Sequence, residues 1–88
     1  MRTTFRKSFE RDLKKIRDEA LLRRIRDTIE EIEAASTLQD LSRFEWLSGT
    51  SGFGRIRIGD YRLGIALEGD GVDLVRFLHR REIYRFFP

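Results

Sequence analysis

Apolar residues recur at helical spacing in the first part of the chain and at alternating spacing in the last part. Arg2 to Phe5 reads as a short strand. Ser8 then stands where an N-cap belongs, and Phe9, Leu13 and Ile16 follow at i, i+4 and i+7, which predicts a first helix. A break at Arg17 to Glu19 precedes a second helix, in which Leu22, Ile25, Ile29 and Ile32 step by three and four residues beside Leu21, Thr28 and Ala35. Together the two predict a helical hairpin. From Ser36 to Gly52 no period holds. Leu38, Leu41, Phe44, Trp46 and Leu47 are expected to plug the core there, and Ser48 to Gly52 to form a flexible connection.

Beyond this point the period is two. Phe53 to Ile58 alternates, Gly59-Asp60 is a turn, Tyr61 to Glu68 is a strand, Asp70-Gly71 is a hairpin signal, and Val72 to Leu78 is a last strand. The expected fold class is α+β. A single domain over residues 1–88 packs an N-terminal strand and a helical hairpin on one face of an antiparallel sheet, with a short C-terminal segment or helix.

A two-residue Gly59-Asp60 loop sets Ile58 opposite Tyr61, Arg57 opposite Arg62 and Arg55 opposite Gly64. Ile56, Ile58, Tyr61, Leu63, Ile65 and Leu67 then face the helices. Arg55, Arg57 and Arg62 share the other face with the small Gly64 and Ala66, which suggests a concave basic floor. Directly opposed like charges destabilise a sheet, so an anion is expected between Arg57 and Arg62. If Asp70-Gly71 is the second loop, His79 falls opposite Arg62 on that floor. A three-residue Gly69-Asp70-Gly71 loop would instead place Arg76 and Leu78 there.

Composition narrows the function classes. The chain has no cysteine, so neither a disulfide framework nor a thiolate metal site stabilises it, which points to the cytoplasm. No apolar run approaches a membrane span or an export leader, so neither membrane contact nor export is expected. One histidine without cysteine leaves no metal site, because the carboxylates cluster on the second helix. Charged residues make up 38% of the chain, yet 18 basic against 15 acidic leaves only +3. Distribution is more telling than the sum. After residue 50 every lysine-or-arginine position is arginine: Arg55, Arg57, Arg62, Arg76, Arg80, Arg81 and Arg85. The planar guanidinium pairs bidentately with phosphate and stacks on bases.

The segment from Arg55 to Arg62 (RIRIGDYR), followed by His79-Arg80-Arg81-Glu82-Ile83-Tyr84-Arg85, resembles the RelE/ParE superfamily of toxins from type II toxin-antitoxin systems, and most of all the RelE-type mRNA interferases. The likeness extends over the order of elements and so over nearly the whole chain. It implies a ribosome-dependent mRNA endoribonuclease that works at the ribosomal A site without metal or small-molecule cofactor. It also implies a cognate antitoxin that covers the basic groove with a helical or extended segment.

In such chemistry the ribose 2′-hydroxyl attacks the adjacent phosphate. The resemblance assigns Arg57 and Arg62 to the phosphate, Arg80 or Arg81 to the same charge from the C-terminal side, and Tyr84 to stacking or to orienting the nucleophile. Arg55, Arg76 and Arg85 are further RNA-binding candidates. Arg55 and Arg57 stand where some members have lysines, and guanidinium accepts no proton. His79 is therefore the candidate general acid or base, with Glu82 or Tyr84 in its place if His79 points into the core. Two rival readings are a ParE-like inhibitor of DNA gyrase and a non-catalytic nucleic-acid-binding relative.

Overall fold

A computed structural model describes residues 1–88. In chain order its elements are β1 (Arg2–Phe5), α1 (Lys7–Leu13), α2 (Glu19–Ala34), a 3₁₀ turn at Leu38–Asp40, β2 (Phe44–Trp46), β3 (Phe53–Ile58), β4 (Tyr61–Glu68), β5 (Gly71–His79) and α3 (Ile83–Phe86). The five strands form one sheet in the order β1-β5-β4-β3-β2, with β1 parallel to β5 and the other neighbours antiparallel. The α+β arrangement is the one the hydrophobic pattern predicts. Two features extend it: β1 joins the sheet in parallel, and Phe44–Trp46, within the aperiodic stretch, adds a fifth strand on β3. No helix is long and apolar enough to cross a membrane.

The helical face carries the main core. Phe9, Ile25, Ile32, Leu38, Leu41, Ile56, Ile58, Leu63, Ile65, Val72, Leu74 and Phe77 form one buried cluster between sheet and helices. Each side chain of this kind removed from water contributes about 1.5–3 kcal/mol. The stripe on α2 serves as predicted, although Thr28 and not Ile29 is buried beside Ile25 and Ile32. Asp18 caps α2, its carboxylate accepting from the Ala20 and Leu21 N–H groups at 2.9 and 3.2 Å. At the other end of α2 the Met1 amino group donates to the carbonyls of Ile32, Glu33 and Ala35, a cation at the helix pole that favours one.

Ser8 does not cap α1, whose N-cap is Arg6. The reason lies at the edge of the sheet. β1 pairs with β5 only as far as Leu74, leaving the rest of β5 with unpaired backbone groups. Ser8 Oγ donates to the Val75 carbonyl at 2.6 Å, and Asp12 Oδ2 accepts from the Phe77 N–H at 2.9 Å. The first helix thus completes the ladder that β1 leaves unfinished. It ends at Leu13, so Ile16 lies beyond it while still packing on the core.

The β3–β4 register matches the expectation pair for pair: Ile58 with Tyr61, Arg57 with Arg62, Arg55 with Gly64. The β4–β5 register does not follow the Asp70-Gly71 turn. Glu68 pairs with Gly71, so the loop is Gly69-Asp70, and Gly69 supplies the positive φ of 58° that a tight hairpin needs at its first position. Val75 is then an extra residue, a bulge between the Ile65–Leu74 and Gly64–Arg76 pairs. Beyond it Arg62 faces Leu78 and Tyr61 faces His79. This is the outcome of the alternative register, reached by a two-residue loop plus a bulge.

Candidate functional site

The face of the sheet away from α1 and α2 is divided between an apolar patch and a cationic floor. The patch is a second small core of Ala66, Val75, Ile83 and Phe87, joined by Leu47, Phe53 and Leu78. It buries one side of the C-terminal segment, with Ile83 fully enclosed and Phe87 only 3% exposed. The small residues at 64 and 66 therefore do not open a groove for a ligand, as their place among arginines suggests. Ala66 packs in the patch, and Gly64 lies against the Phe87 ring. Phe86, next to Phe87 in the chain, is by contrast half-exposed.

Arg55, Arg57 and Arg62 lie beside this patch. Arg57 has no carboxylate within 4.0 Å, and neither have Arg62, Arg80 and Arg81. The Arg62 guanidinium folds over its own turn, donating to the carbonyls of Gly59 and Tyr61 at 3.0 and 2.9 Å. Its pKa is lowered from the usual arginine value by loss of water and then by the charges of Arg55, Arg57 and Arg80, with Asp60 opposing. Four cations therefore share one neighbourhood. The Arg80 N–H donates to the Asp60 carbonyl at 2.8 Å, pinning Arg80 beside the β3–β4 turn. Of the Arg80-Arg81 pair, Arg80 is the one whose charge bears on Arg62. The Arg81 N–H instead reaches His79 Nδ1 at 3.2 Å.

Tyr84 is 58% exposed. Its hydroxyl accepts from Arg55, whose guanidinium carbon lies 5.2 Å from the ring centroid. Arg55 also donates to Glu45 at 3.1 Å, across the β2–β3 pair. Glu45, Arg55, Tyr84 and Phe87 line a groove of about 430 Å³, together with Leu47 and Ser48.

Other sequence candidates fall elsewhere. His79 lies opposite Tyr61, not Arg62, and its ring meets the Tyr61 ring edge-on with centroids 5.5 Å apart. It lines a concavity with Asp12, Lys15, Phe77 and Glu82 on the α1 side, which moves both His79 and Glu82 off the floor. Arg76 does reach the outer face, opposite Gly64, but its guanidinium grips Asp12 at 2.7 and 3.1 Å. That hydrogen-bonded carboxylate, against the effect of burial, raises the Arg76 pKa. Arg85 stacks over Phe86 at 5.5 Å, and Arg76 lies over the same ring at 6.0 Å.

Two residues escape sequence reasoning. Glu45 carries a signal in the alternation Phe44-Glu45-Trp46, which reads as three residues of strand with one side chain turned outward. Asp12 carries one too, as a charge three residues after Phe9 on the apolar side of α1.

The family model described as the ParE toxin of type II toxin-antitoxin systems (parDE) matches residues 4–84. The chain belongs to this family. Toxin RelE3 of Methanocaldococcus jannaschii is 38% identical over 89 residues, with all of both chains covered. In the RelB-RelE antitoxin-toxin complex from Methanococcus jannaschii, a chain superposes with a TM-score of 0.79 at 36% identity, covering 96% of this toxin and 98% of that chain. The YoeB dimer from Staphylococcus aureus shares the fold at a TM-score of 0.73 and 18% identity, covering 90% and 95%. Family and architecture thus agree with the resemblance carried by the RIRIGDYR segment and the C-terminal motif of this toxin.

Proposed function

We propose that this toxin is a metal-independent, ribosome-dependent mRNA endoribonuclease, acting in the cytoplasm and silenced by a cognate antitoxin. The observation that carries this reading is the meeting of Arg57, Arg62 and Arg80, none with a carboxylate partner, with Arg55, whose guanidinium donates to the exposed Tyr84. Such an arrangement is electrostatically unfavourable by itself and is relieved by an anion held among the guanidinium groups.

In the reaction the 2′-hydroxyl oxygen attacks the adjacent phosphorus and the bond to the 5′-oxygen breaks, leaving a 2′,3′-cyclic phosphate and a 5′-hydroxyl. Arg57 and Arg62 bind the phosphate oxygens and offset the charge that develops on them. Arg80 adds a third cation from the C-terminal side. The Tyr84 ring offers a stacking surface for an unpaired base. The nucleophile must lose a proton, which no guanidinium can accept. With His79 turned toward α1, the Glu45 carboxylate, held at the floor by Arg55, is the proton acceptor we assign. Tyr84, whose oxygen accepts from Arg55, keeps its own O–H for donation to the departing oxygen.

The antitoxin reading is supported by the solved RelB-RelE complex and by the same exposed cations, which suit an acidic segment. Inducing the toxin without antitoxin and mapping mRNA 5′ ends tests the whole proposal. Growth arrest with new ends that vanish in an Arg62→Ala/Tyr84→Ala variant is the expected result. Arrest with intact mRNA would overturn it in favour of gyrase, and no arrest in favour of a non-catalytic role.

A further inference from the structure

We propose that Gly64 and Phe87 are positioning residues for Tyr84, a socket and plug that aim the C-terminal segment at the cationic floor. The inference rests on the RNA-cleaving role proposed for that floor. Gly64 lies in β4, in the middle of the sheet, between Arg55 on β3 and Arg76 on β5. Glycine weakens a strand interior. Its φ is not positive, so the backbone does not call for glycine at this position. Space does. A Cβ on residue 64 would come within 2.9 Å of Cγ, Cδ2 and Cε2 of the Phe87 ring, closer than such atoms can approach. The backbone of β4 thus forms the bottom of a slot that only a glycine leaves open, and the Phe87 ring fills it. Phe53 closes the slot edge-on, with ring centroids 5.8 Å apart.

The segment this plug holds has little structure of its own. α3 is four residues long, and helices of that length do not persist alone. Its direction comes from two anchors, Ile83 at 0% and Phe87 at 3% exposure. Tyr84 lies between them, directed into solvent over Arg55. With both anchors seated, the phenol hydroxyl falls on the Arg55 guanidinium. With Phe87 unseated, Tyr84 keeps its chemistry and loses its place. Gly64 and Phe87 touch no reacting atom and act through Tyr84 alone.

The test is single-turnover cleavage of mRNA on programmed ribosomes, using the full chain. Gly64→Ala is expected to lower the rate about 10²-fold, the effect of a misplacement on the order of 1 Å. Adding Phe87→Leu, which gives back the volume that the new methyl group takes, should restore the rate to within about threefold. In a Tyr84→Ala background, Gly64→Ala should change the rate by less than about twofold, since a residue acting through Tyr84 has nothing left to position. An unaffected Gly64→Ala variant overturns the proposal, and so does a loss that multiplies with that of Tyr84→Ala. If Gly64→Ala does not fold, Phe87→Leu alone enters the same cycle with the same two criteria. If the wild-type chain cleaves no RNA, the cleavage reading falls while the socket is still tested by nuclear Overhauser effects between the Tyr84 ring and the Arg55 side chain. Cross-peaks that vanish in Gly64→Ala and return with Phe87→Leu support it; cross-peaks unchanged by Gly64→Ala overturn it.

Discussion

Arg57 and Arg62 lie directly opposite each other on neighbouring strands, with no carboxylate within 4.0 Å of either. A cross-strand pair of like charge opposes folding by roughly 0.2–1 kcal/mol, and an attractive pair at the same positions would contribute about as much. The fold carries this penalty one pair from the turn of the β3–β4 hairpin. Arg57→Gln removes the repulsion while keeping a long polar side chain. We expect its urea midpoint to rise, corresponding to about 0.2–1 kcal/mol, while mRNA cleavage falls about 10²-fold, as for loss of one transition-state donor. A variant both less stable and fully active would show that this pair is not an anion clamp.

The arginine beside it in the sheet behaves in the opposite way. Arg76 shares the outer face but grips Asp12, a carboxylate 3% exposed that also accepts from the Phe77 N–H. Removing the cation leaves a buried charge without its partner, a change that costs about 3–5 kcal/mol in a fully enclosed pair. The Arg76 side chain keeps 21% of its surface in water, so we expect about 2–3 kcal/mol for Arg76→Ala, discounted for solvent screening. Thermal unfolding should drop accordingly. RNA affinity, measured on the fraction still folded, should stay near wild type; a selective loss of affinity at unchanged stability would return Arg76 to the binding surface.

What is legible in the sequence, and what is not, follows from the range of the forces involved. Alternation on both sides of Gly59-Asp60 is a local signal, and it places Arg57 opposite Arg62 without any tertiary knowledge. The place of His79 is harder to read, because Gly69-Asp70 and Asp70-Gly71 are equally good turn dipeptides and because the Val75 bulge shifts half of β5 by one residue. That bulge lets Val75 pack on the second core while Arg76 reaches Asp12, and both contacts join segments far apart in the chain. Gly64 and Ala66 stand out as small, but the Phe87 ring that explains Gly64 comes from the far end of the chain. β2 escapes notice because the alternation Phe44-Glu45-Trp46 is only three residues long and lies inside an otherwise aperiodic stretch.

Acid should loosen the first strand early. Asp73 has its pKa lowered, first by the hydrogen bond from Thr4 and further by Arg6, against the effect of burial. A carboxyl group whose pKa is lower in the folded than in the unfolded chain binds fewer protons when native. It therefore adds stability that is fully present above the unfolded value of about 3.9 and is lost as pH falls through the folded one. The melting temperature should decline from about pH 5 downward. Asp73→Asn should flatten that decline and lower the neutral-pH value. An unchanged acid limb in Asp73→Asn would mean that other carboxylates control it.

The proton acceptor gives the sharpest contrast between two residues. His79 is the natural choice by type, since neutral imidazole accepts protons near neutrality. Its place opposite Tyr61, edge-on to that ring and facing Asp12 and Lys15, removes it from the phosphate-binding arginines. Glu45 is a less obvious choice, but Arg55 holds it at the groove that Tyr84 lines. If position outweighs type, His79→Gln should cleave mRNA within about threefold of wild type, since it removes no group from the reaction. Glu45→Gln, which keeps shape and hydrogen bonding but cannot accept the proton, should lose about 10²–10⁴-fold, the usual contribution of a general base. Single-turnover rates on the two variants decide between them. The reverse order, with His79→Gln inactive and Glu45→Gln intact, would mean that the C-terminal segment swings His79 onto the floor when RNA binds.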